Sequence, residues 1–143
     1  MKKRPEVKPG DIVGVPLGER MVAVGIALHV STRVKNGMMI GFYDQLFESM
    51  EDIDIEALGD EFIETPNYTG VQLITGGQWK VVANSPELLA AASIPELRVV
   101  YTLYYKDEAV RRLSPDELKE YVELVGQGGG FIEDKLRKHF AGK

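Results

Sequence analysis

The chain has 143 residues, no cysteine and a formal net charge of −5. A chain of this length suits one domain that buries roughly 70% of its unfolded surface. The lack of cysteine excludes a disulfide scaffold, thiol catalysis and a thiolate metal site, and no apolar run is long enough for a membrane span. The basic, proline-containing start lacks the apolar core of a signal peptide, so we expect a cytoplasmic protein.

The first half of the chain is predicted to form strands. Asp11–Leu17 follows a Pro-Gly turn signal, and Arg20–Ser31 is long and rich in β-branched residues, with a bend or bulge expected at Gly25. Asn36–Gly37 is a strong two-residue turn signal, so Met38–Tyr43 should complete a hairpin. A short, twisted meander of this kind is typical of an SH3-like small barrel.

The remaining elements alternate between strands and helices. A second hairpin is predicted over residues 70–83, with Gly76–Gly77 at its turn, and Leu97–Tyr105 has the best strand propensity. Ser85 can cap a short helix through Ala92. Further helices are predicted from the capping box Ser114-Pro115-Asp116-Glu117 through Val125, with Leu118, Tyr121, Val122 and Val125 on one face, and from Phe131 to Phe140.

These elements predict an α+β fold in one domain, residues 1–143, with its strands first and helices after residue 85. The predicted parts are a strand-rich core at 8–83 with an acidic insertion at 44–64, a helix–strand–helix region at 84–125, and a glycine-rich connector with a terminal helix at 126–143. The run Gly128-Gly129-Gly130 precedes a helix but follows no strand, so a flexible connector is favoured over a phosphate site.

Acidic residues are concentrated in the middle of the chain. Residues 36–79 contain nine Asp and Glu and no Lys or Arg, whereas the rest contains 13 acids and 17 bases. The stretch would repel phosphates, which argues against nucleic acid and permits a basic protein partner. Three interpretations of the acids are open: a metal site, a solvated face, and a partner-binding surface.

A calcium loop is excluded by spacing. Asp52, Asp54 and Glu56 alternate as EF-hand ligands do, but the sixth and twelfth positions counted from Asp52 are Ala57 and Ile63, where that loop needs glycine and glutamate. A looser divalent site stays open. In a helix, the apolar residues of the run would form a buried stripe and leave the acids in solvent; these are Ile53, Ala57, Leu58 and Phe62.

The remaining interpretation is a surface for a basic partner, because a one-signed patch accelerates encounter with an oppositely charged protein. The predicted contact residues are Glu48, Glu51, Asp52, Asp54, Glu56, Asp60 and Glu61.

Residue chemistry gives little support for an enzyme. The only histidines are His29, predicted to be structural, and His139, near the end of the last helix. Neither has helical metal-site spacing, and no Gly-x-Ser-x-Gly motif is present. We therefore assign no catalytic residue, metal or cofactor. Trp79 is expected in the core.

Several blocks together resemble the immunity protein 26 family of bacteria. They are Lys8-Pro9-Gly10-Asp11-Ile12, Pro16-Leu17, Gly25, Gly41-Phe42-Tyr43-Asp44 and Gly77-Gln78-Trp79-Lys80-Val81-Val82, and the resemblance covers residues 8–83. It implies a strand-rich, non-enzymatic protein that neutralises a cognate toxin of the polymorphic-toxin type, often a nuclease with a basic cleft. The family name is also attached to a phosphotriesterase activity, so a metal-dependent hydrolase is the first alternative, and a generic interaction module is the second.

Overall fold

The computed structural model describes residues 6–34 and 36–142. The first five strands are β1 (Asp11–Gly18), β2 (Met21–Val30), β3 (Gly37–Phe47), β4 (Asn67–Gly70) and β5 (Lys80–Asn84). They form one antiparallel sheet in the order β4-β3-β2-β1-β5. The predicted α+β class, with a strand-rich first half, is confirmed. Among the described strands, β4 and β5 lie at opposite edges without pairing, so the sheet is open and the predicted closure into an SH3-like small barrel is wrong.

The meander of β1, β2 and β3 follows the sequence signals. The predicted β2–β3 hairpin forms, but β2 ends at Val30 and Gly37 already belongs to β3, so Asn36–Gly37 is not the two-residue turn that was predicted. Asn36 has a φ of 56°, a conformation that asparagine tolerates. The pairing of β2 with β3 shifts register next to Gly25, where a Cβ atom would lie 2.9 Å from the carbonyl oxygen of Gly41. β1 continues through Pro16, which lies beyond the stretch that pairs with β5 and is therefore tolerated there.

The hairpin predicted over residues 70–83 is wrong. β4 ends where the N–H of Val71 bonds to the carbonyl of Asn36, and the chain then makes one helical turn, α1 (Gln72–Thr75), which buries Ile74. β5 pairs with β1, at the other edge of the sheet from β4. The local sequence pattern could not predict this arrangement, because Val71 bonds to Asn36 and β5 pairs with β1, and both of these partners are distant in sequence.

A second antiparallel sheet consists of β6 (Glu96–Val99), β7 (Thr102–Tyr105) and β8 (Glu108–Arg112). The single strand predicted over Leu97–Tyr105 is therefore wrong, because the chain reverses at Val100 and Tyr101, which are 61% and 37% exposed. Both residue types favour strands, and their propensity concealed the turn. The reversal buries Leu97 and Leu103 in adjacent strands.

Two of the predicted helices are confirmed. In α2 (Pro86–Ala91), the hydroxyl of Ser85 accepts a hydrogen bond from the N–H of Leu88 at 3.1 Å, as the predicted cap requires. The C-terminal helix is α3 (Gly129–Ala141), slightly longer than predicted. None of the described helices is long and apolar enough to cross a membrane.

The helix predicted to follow the capping box is wrong in extent. Ser114 donates its N–H to Glu117 Oε1 at 3.0 Å, so the box forms, but only a 3₁₀ turn follows, over Pro115–Glu120. Beyond it the chain is extended beside β6, and the carbonyl of Val122 accepts a hydrogen bond from the N–H of Arg98. These backbone bonds replace the helix.

The core divides between the two faces of the larger sheet, because side chains alternate along each strand. On one face, Trp79 is 1% exposed, as predicted, and packs with Ile132 and Leu136 of α3. Its indole N–H donates to Glu133 Oε2 at 2.9 Å. On the other face lie Ile12, Val24, Ile26, Leu28, Met39, Tyr43, Leu58, Tyr68 and Leu97.

The glycine-rich connector is held against the edge of β4. Gln127 donates its N–H to the carbonyl of Tyr68 at 2.9 Å, and Thr69 Oγ1 donates to the carbonyl of Gln127 at 2.6 Å. At Gly129, a Cβ atom would lie 2.5 Å from Leu73 Cδ2. The prediction of a flexible connector is therefore wrong, since Gln127 is bonded to β4 and Gly129 packs closely against Leu73 of α1.

Candidate partner-binding surface

The predicted acidic insertion, residues 44–64 and hereafter the acidic segment, is a loop that leaves β3 and returns to it. Its return is fixed by an isolated antiparallel bridge between Tyr43 and Phe62 and by a hydrogen bond of 2.8 Å from the N–H of Ile63 to the carbonyl of Phe42. Two short 3₁₀ turns, Met50–Asp52 and Ile55–Ala57, replace the continuous helix that was considered.

Apolar side chains anchor the acidic segment to the sheet. Met50 and Ile53 lie over Gly14 of β1, and a Cβ atom at position 14 would be 2.2 Å from Met50 Sδ. Phe62 lies over Gly41 in the same way, at 2.7 Å. Leu58 is buried, and Ile53, Ile55 and Phe62 pack against the same core cluster. The segment is therefore a packed cover over one sheet face.

The acids lie between these anchors and face solvent. All seven predicted contact residues are exposed: Glu48, Glu51, Asp52, Asp54, Glu56, Asp60 and Glu61. Their contacts within the segment include a bond from Ser49 Oγ to Asp52 Oδ2 at 2.9 Å and one from the N–H of Glu56 to Asp54 Oδ1 at 3.1 Å. Among the described residues, none of the seven forms an ion pair with a Lys, Arg or His. Their charge is therefore available to a partner.

The acids at the two ends of the segment do have basic neighbours, both from α3. His139 Nε2 lies 2.8 Å from Asp44 Oδ1, and Lys135 forms an ion pair with Glu64. These two acids were not among the predicted contacts. Sequence spacing gives no signal for either pair, because α3 is about 70 to 95 residues away along the chain.

Two clefts meet at Asp60 and Glu61. One, of about 390 Å³, is also lined by Phe62, Glu64, Thr65, Pro66, Ser93 and Pro95. The other, of about 210 Å³, is also lined by Tyr43, Asp44, Gln45 and Gly59. Burial raises the pKa of Tyr43 to about 12, so its hydroxyl is neutral at physiological pH. Tyr43 was not predicted as a site residue, since an aromatic residue in a strand is ordinarily part of the core.

A larger cleft of about 490 Å³ lies along the glycine-rich connector. It is lined by Val34, Asn36, Gly37, Tyr68, Thr69, Gly70, Gln72, Gly126, Gln127 and Gly128. None of these described lining residues is an acid, a base or a histidine.

His29 joins the two sheets. Its Nε2 lies 3.0 Å from Asp107 Oδ2, in the turn between β7 and β8. The same carboxylate accepts hydrogen bonds from Ser31 Oγ at 2.5 Å and from the N–H of Thr32 at 2.9 Å. Burial alone would raise the pKa of Asp107, but these bonds together hold it well below its ordinary value. This geometry supports the structural interpretation of His29.

The described residues contain no group of three His, Asp or Glu side chains arranged to hold a metal. The two histidines are engaged separately, His29 with Asp107 and His139 with Asp44. The geometry of the described part thus offers exposed negative charge to a partner.

A family model described as Immunity protein 26 matches residues 8–101. The chain belongs to the immunity protein 26 family. The match spans 94 of the 143 residues, contains the acidic segment, and extends past the predicted resemblance to the turn after β6. β7, β8 and α3 lie outside it. No curated protein and no solved structure matches the chain.

Proposed function

We propose that this immunity protein 26 family member binds a cognate protein toxin in the cytoplasm of the producing cell and neutralises it without catalysis. The acidic segment would occupy a basic surface of the toxin, with its carboxylates in the positions of substrate phosphates. The observation that carries the proposal is the set of seven exposed carboxylates, without a described cationic partner, on a cover that is packed against the sheet.

Electrostatics favour a basic protein as that partner. Clustered like charges repel each other, which destabilises the free protein. Binding to an oppositely charged surface relieves this repulsion. The same field accelerates association with a basic protein, to on the order of 10⁸–10⁹ per molar per second at low salt. Nucleic acid would be repelled by this surface. A toxin with a cleft for nucleic acid, such as a nuclease, presents the required positive charge.

A packed cover also suits tight binding. Residues that are already ordered lose little conformational entropy on association, so a larger share of the contact energy appears as affinity. The anchors Met50, Leu58 and Phe62 hold the backbone between the acids, which limits the reordering that binding requires.

The proposal is tested by immobilising the purified protein and passing native cell extract over it at low salt, followed by elution at high salt. We expect one basic protein to be retained and then released, and its toxic activity to be suppressed when the purified pair is mixed in equal amounts. Stoichiometric bound metal with hydrolytic turnover, and no retained protein, would overturn the proposal in favour of a hydrolase.

A further inference from the structure

The turn between β6 and β7 combines backbone strain with an exposed apolar side chain. Val99 pairs with Thr102, which leaves a two-residue turn between them. Val100, the first residue of this turn, has a φ of 54°, in the left-handed region where such turns favour glycine or asparagine. For a β-branched residue this conformation is a clear outlier. The two turn residues, Val100 and Tyr101, are hereafter the Val100 turn.

Packing within the chain does not account for the valine. Its side chain is 61% exposed, so it gains little from burial in the free protein. Glycine would adopt the same backbone conformation without strain and without presenting an apolar side chain to water. Strained backbone is concentrated at active sites, ligand clamps and switch regions. The strain and the exposure together therefore point to a partner that covers Val100.

Tyr101 and Arg112 give the turn the chemistry of a protein contact. The Tyr101 ring is 37% exposed, and the guanidinium carbon of Arg112 lies 5.8 Å from its centre. Arg112 is exposed and forms no ion pair with any described residue. Stacking on an aromatic ring positions a guanidinium without engaging its N–H donors. Tyrosine and arginine are also enriched among the residues that dominate protein–protein binding energy.

We propose that the Val100 turn enters an apolar pocket on the protein toxin, with Arg112 paired to a carboxylate at the rim of that pocket, an inference that rests on the proposed function. The exposed valine and tyrosine side chains match an apolar pocket, and the unpaired guanidinium matches negative charge beside it. This contact is opposite in sign to the one made by the acidic segment. Two contacts of opposite sign fix the orientation of the toxin, because the reversed orientation places like charges together.

One partner can reach both surfaces. Pro95, which immediately precedes β6, lines the cleft of about 390 Å³ together with Asp60 and Glu61 of the acidic segment. Val100 follows the other end of β6, five residues further on, which corresponds to roughly 17 Å of extended chain. A standard interface of about 800 Å² per partner is roughly 30 Å across. The Val100 turn therefore lies within the reach of a toxin bound to the acidic segment.

The test measures binding and stability on the same variants. The probe is the protein that the immobilised wild-type chain retains from native extract at low salt, purified after elution. Val100→Gly relieves the strain and removes the apolar side chain, so we expect an unchanged or higher melting temperature and about tenfold weaker binding of the probe. Arg112→Gln should also weaken binding, with an unchanged melting temperature, because the side chain is exposed and unpaired among the described residues.

The matched control is Lys106→Gly. Lys106 is the first residue of the two-residue turn between β7 and β8, and its φ is 55°. Glycine relieves the same backbone strain there, so the melting temperature should again stay the same or rise. This control should bind the probe as the wild type does. Probe binding by Val100→Gly equal to that of the wild type, or a lower melting temperature of Val100→Gly, would overturn the inference.

Failure of this inference is distinguishable from failure of the proposed function. If Val100→Gly binds the probe normally and D52K/D54K does not, only the Val100 turn is rejected. If D52K/D54K binds normally and Val100→Gly does not, the Val100 turn stands and the role of the acidic segment falls. A wild-type chain that retains no protein would reject both.

Discussion

Met50 of the acidic segment lies over Gly14 of β1 so closely that a Cβ atom at position 14 would be 2.2 Å from its Sδ. The absence of a side chain at Gly14 thus allows the acidic segment to pack onto the sheet. The cover and the strand beneath it are complementary in shape, and this complementarity fixes where the acids point.

Gly14→Ala should reduce the free energy of unfolding by about 1–3 kcal/mol, because the added methyl group forces the Met50 side chain to move. Urea denaturation measures the effect. The double variant Gly14→Ala/Met50→Ala should lose less stability than the sum of the two single variants, since the second change makes room for the first. Additive effects would show that the two side chains are not in contact.

Trp79→Ala should cost about 3–5 kcal/mol, because a large aromatic side chain leaves a cavity between the sheet and α3. Trp79→Phe should cost less, although Glu133 then loses the indole N–H as a donor. Trp79 is the only tryptophan, so its fluorescence reports this site directly. Emission typical of a water-exposed indole, or a loss below about 1 kcal/mol for Trp79→Ala, would contradict its placement in the core.

Because of Asp107, the free energy of unfolding should depend on pH in the acid range. Its pKa is lower in the folded state than its ordinary value of 3.8, so folding favours the charged form. The resulting stabilisation is complete well above pH 3.8 and is lost as the pH falls below it towards the folded-state pKa. Asp107→Asn should therefore reduce the change in the free energy of unfolding with pH below about pH 3.8. A pH dependence identical to that of the wild type in this range would contradict the linkage.

Local sequence signals correctly located the features that depend on local chemistry. The cap at Ser85 and the box at Ser114 and Glu117 both form, because each needs only neighbouring residues. The errors occur where distant contacts decide the conformation. Val71 leaves the strand to bond with Asn36, and the chain reverses at Val100, although its side chain favours strands.

The candidate site likewise has some features that the local sequence predicts and others that depend on distant contacts. The exposure of the seven acids is foreseeable, since charged side chains are rarely buried without partners. The alternation of Ile53, Asp54, Ile55 and Glu56 also matches the alternation of packed apolar and exposed acidic side chains in the acidic segment, which a continuous helix would not produce. The contacts of α3 with Asp44 and Glu64 depend on three-dimensional packing, so no sequence pattern indicates them.

Charge reversal at Asp52 and Asp54 should weaken partner binding and leave the melting temperature nearly unchanged, because both side chains are exposed and neither has an ion-pair partner among the described residues. The matched control is D116K/E120K, which reverses two exposed acids in the 3₁₀ turn after β8. Since the two variants change the net charge equally, any difference between them reflects position. A large loss of stability with intact binding would reject the contact assignment.

The most direct test of the central claim is a parallel capture from native extract on immobilised wild-type protein, D52K/D54K and D116K/E120K, each eluted with increasing salt. The account predicts that the wild type and D116K/E120K retain the same basic protein and release it at high salt, while D52K/D54K retains little of it. Equal capture on all three surfaces, or a partner that is not basic and resists salt, would contradict the claim that the acidic segment binds a toxin.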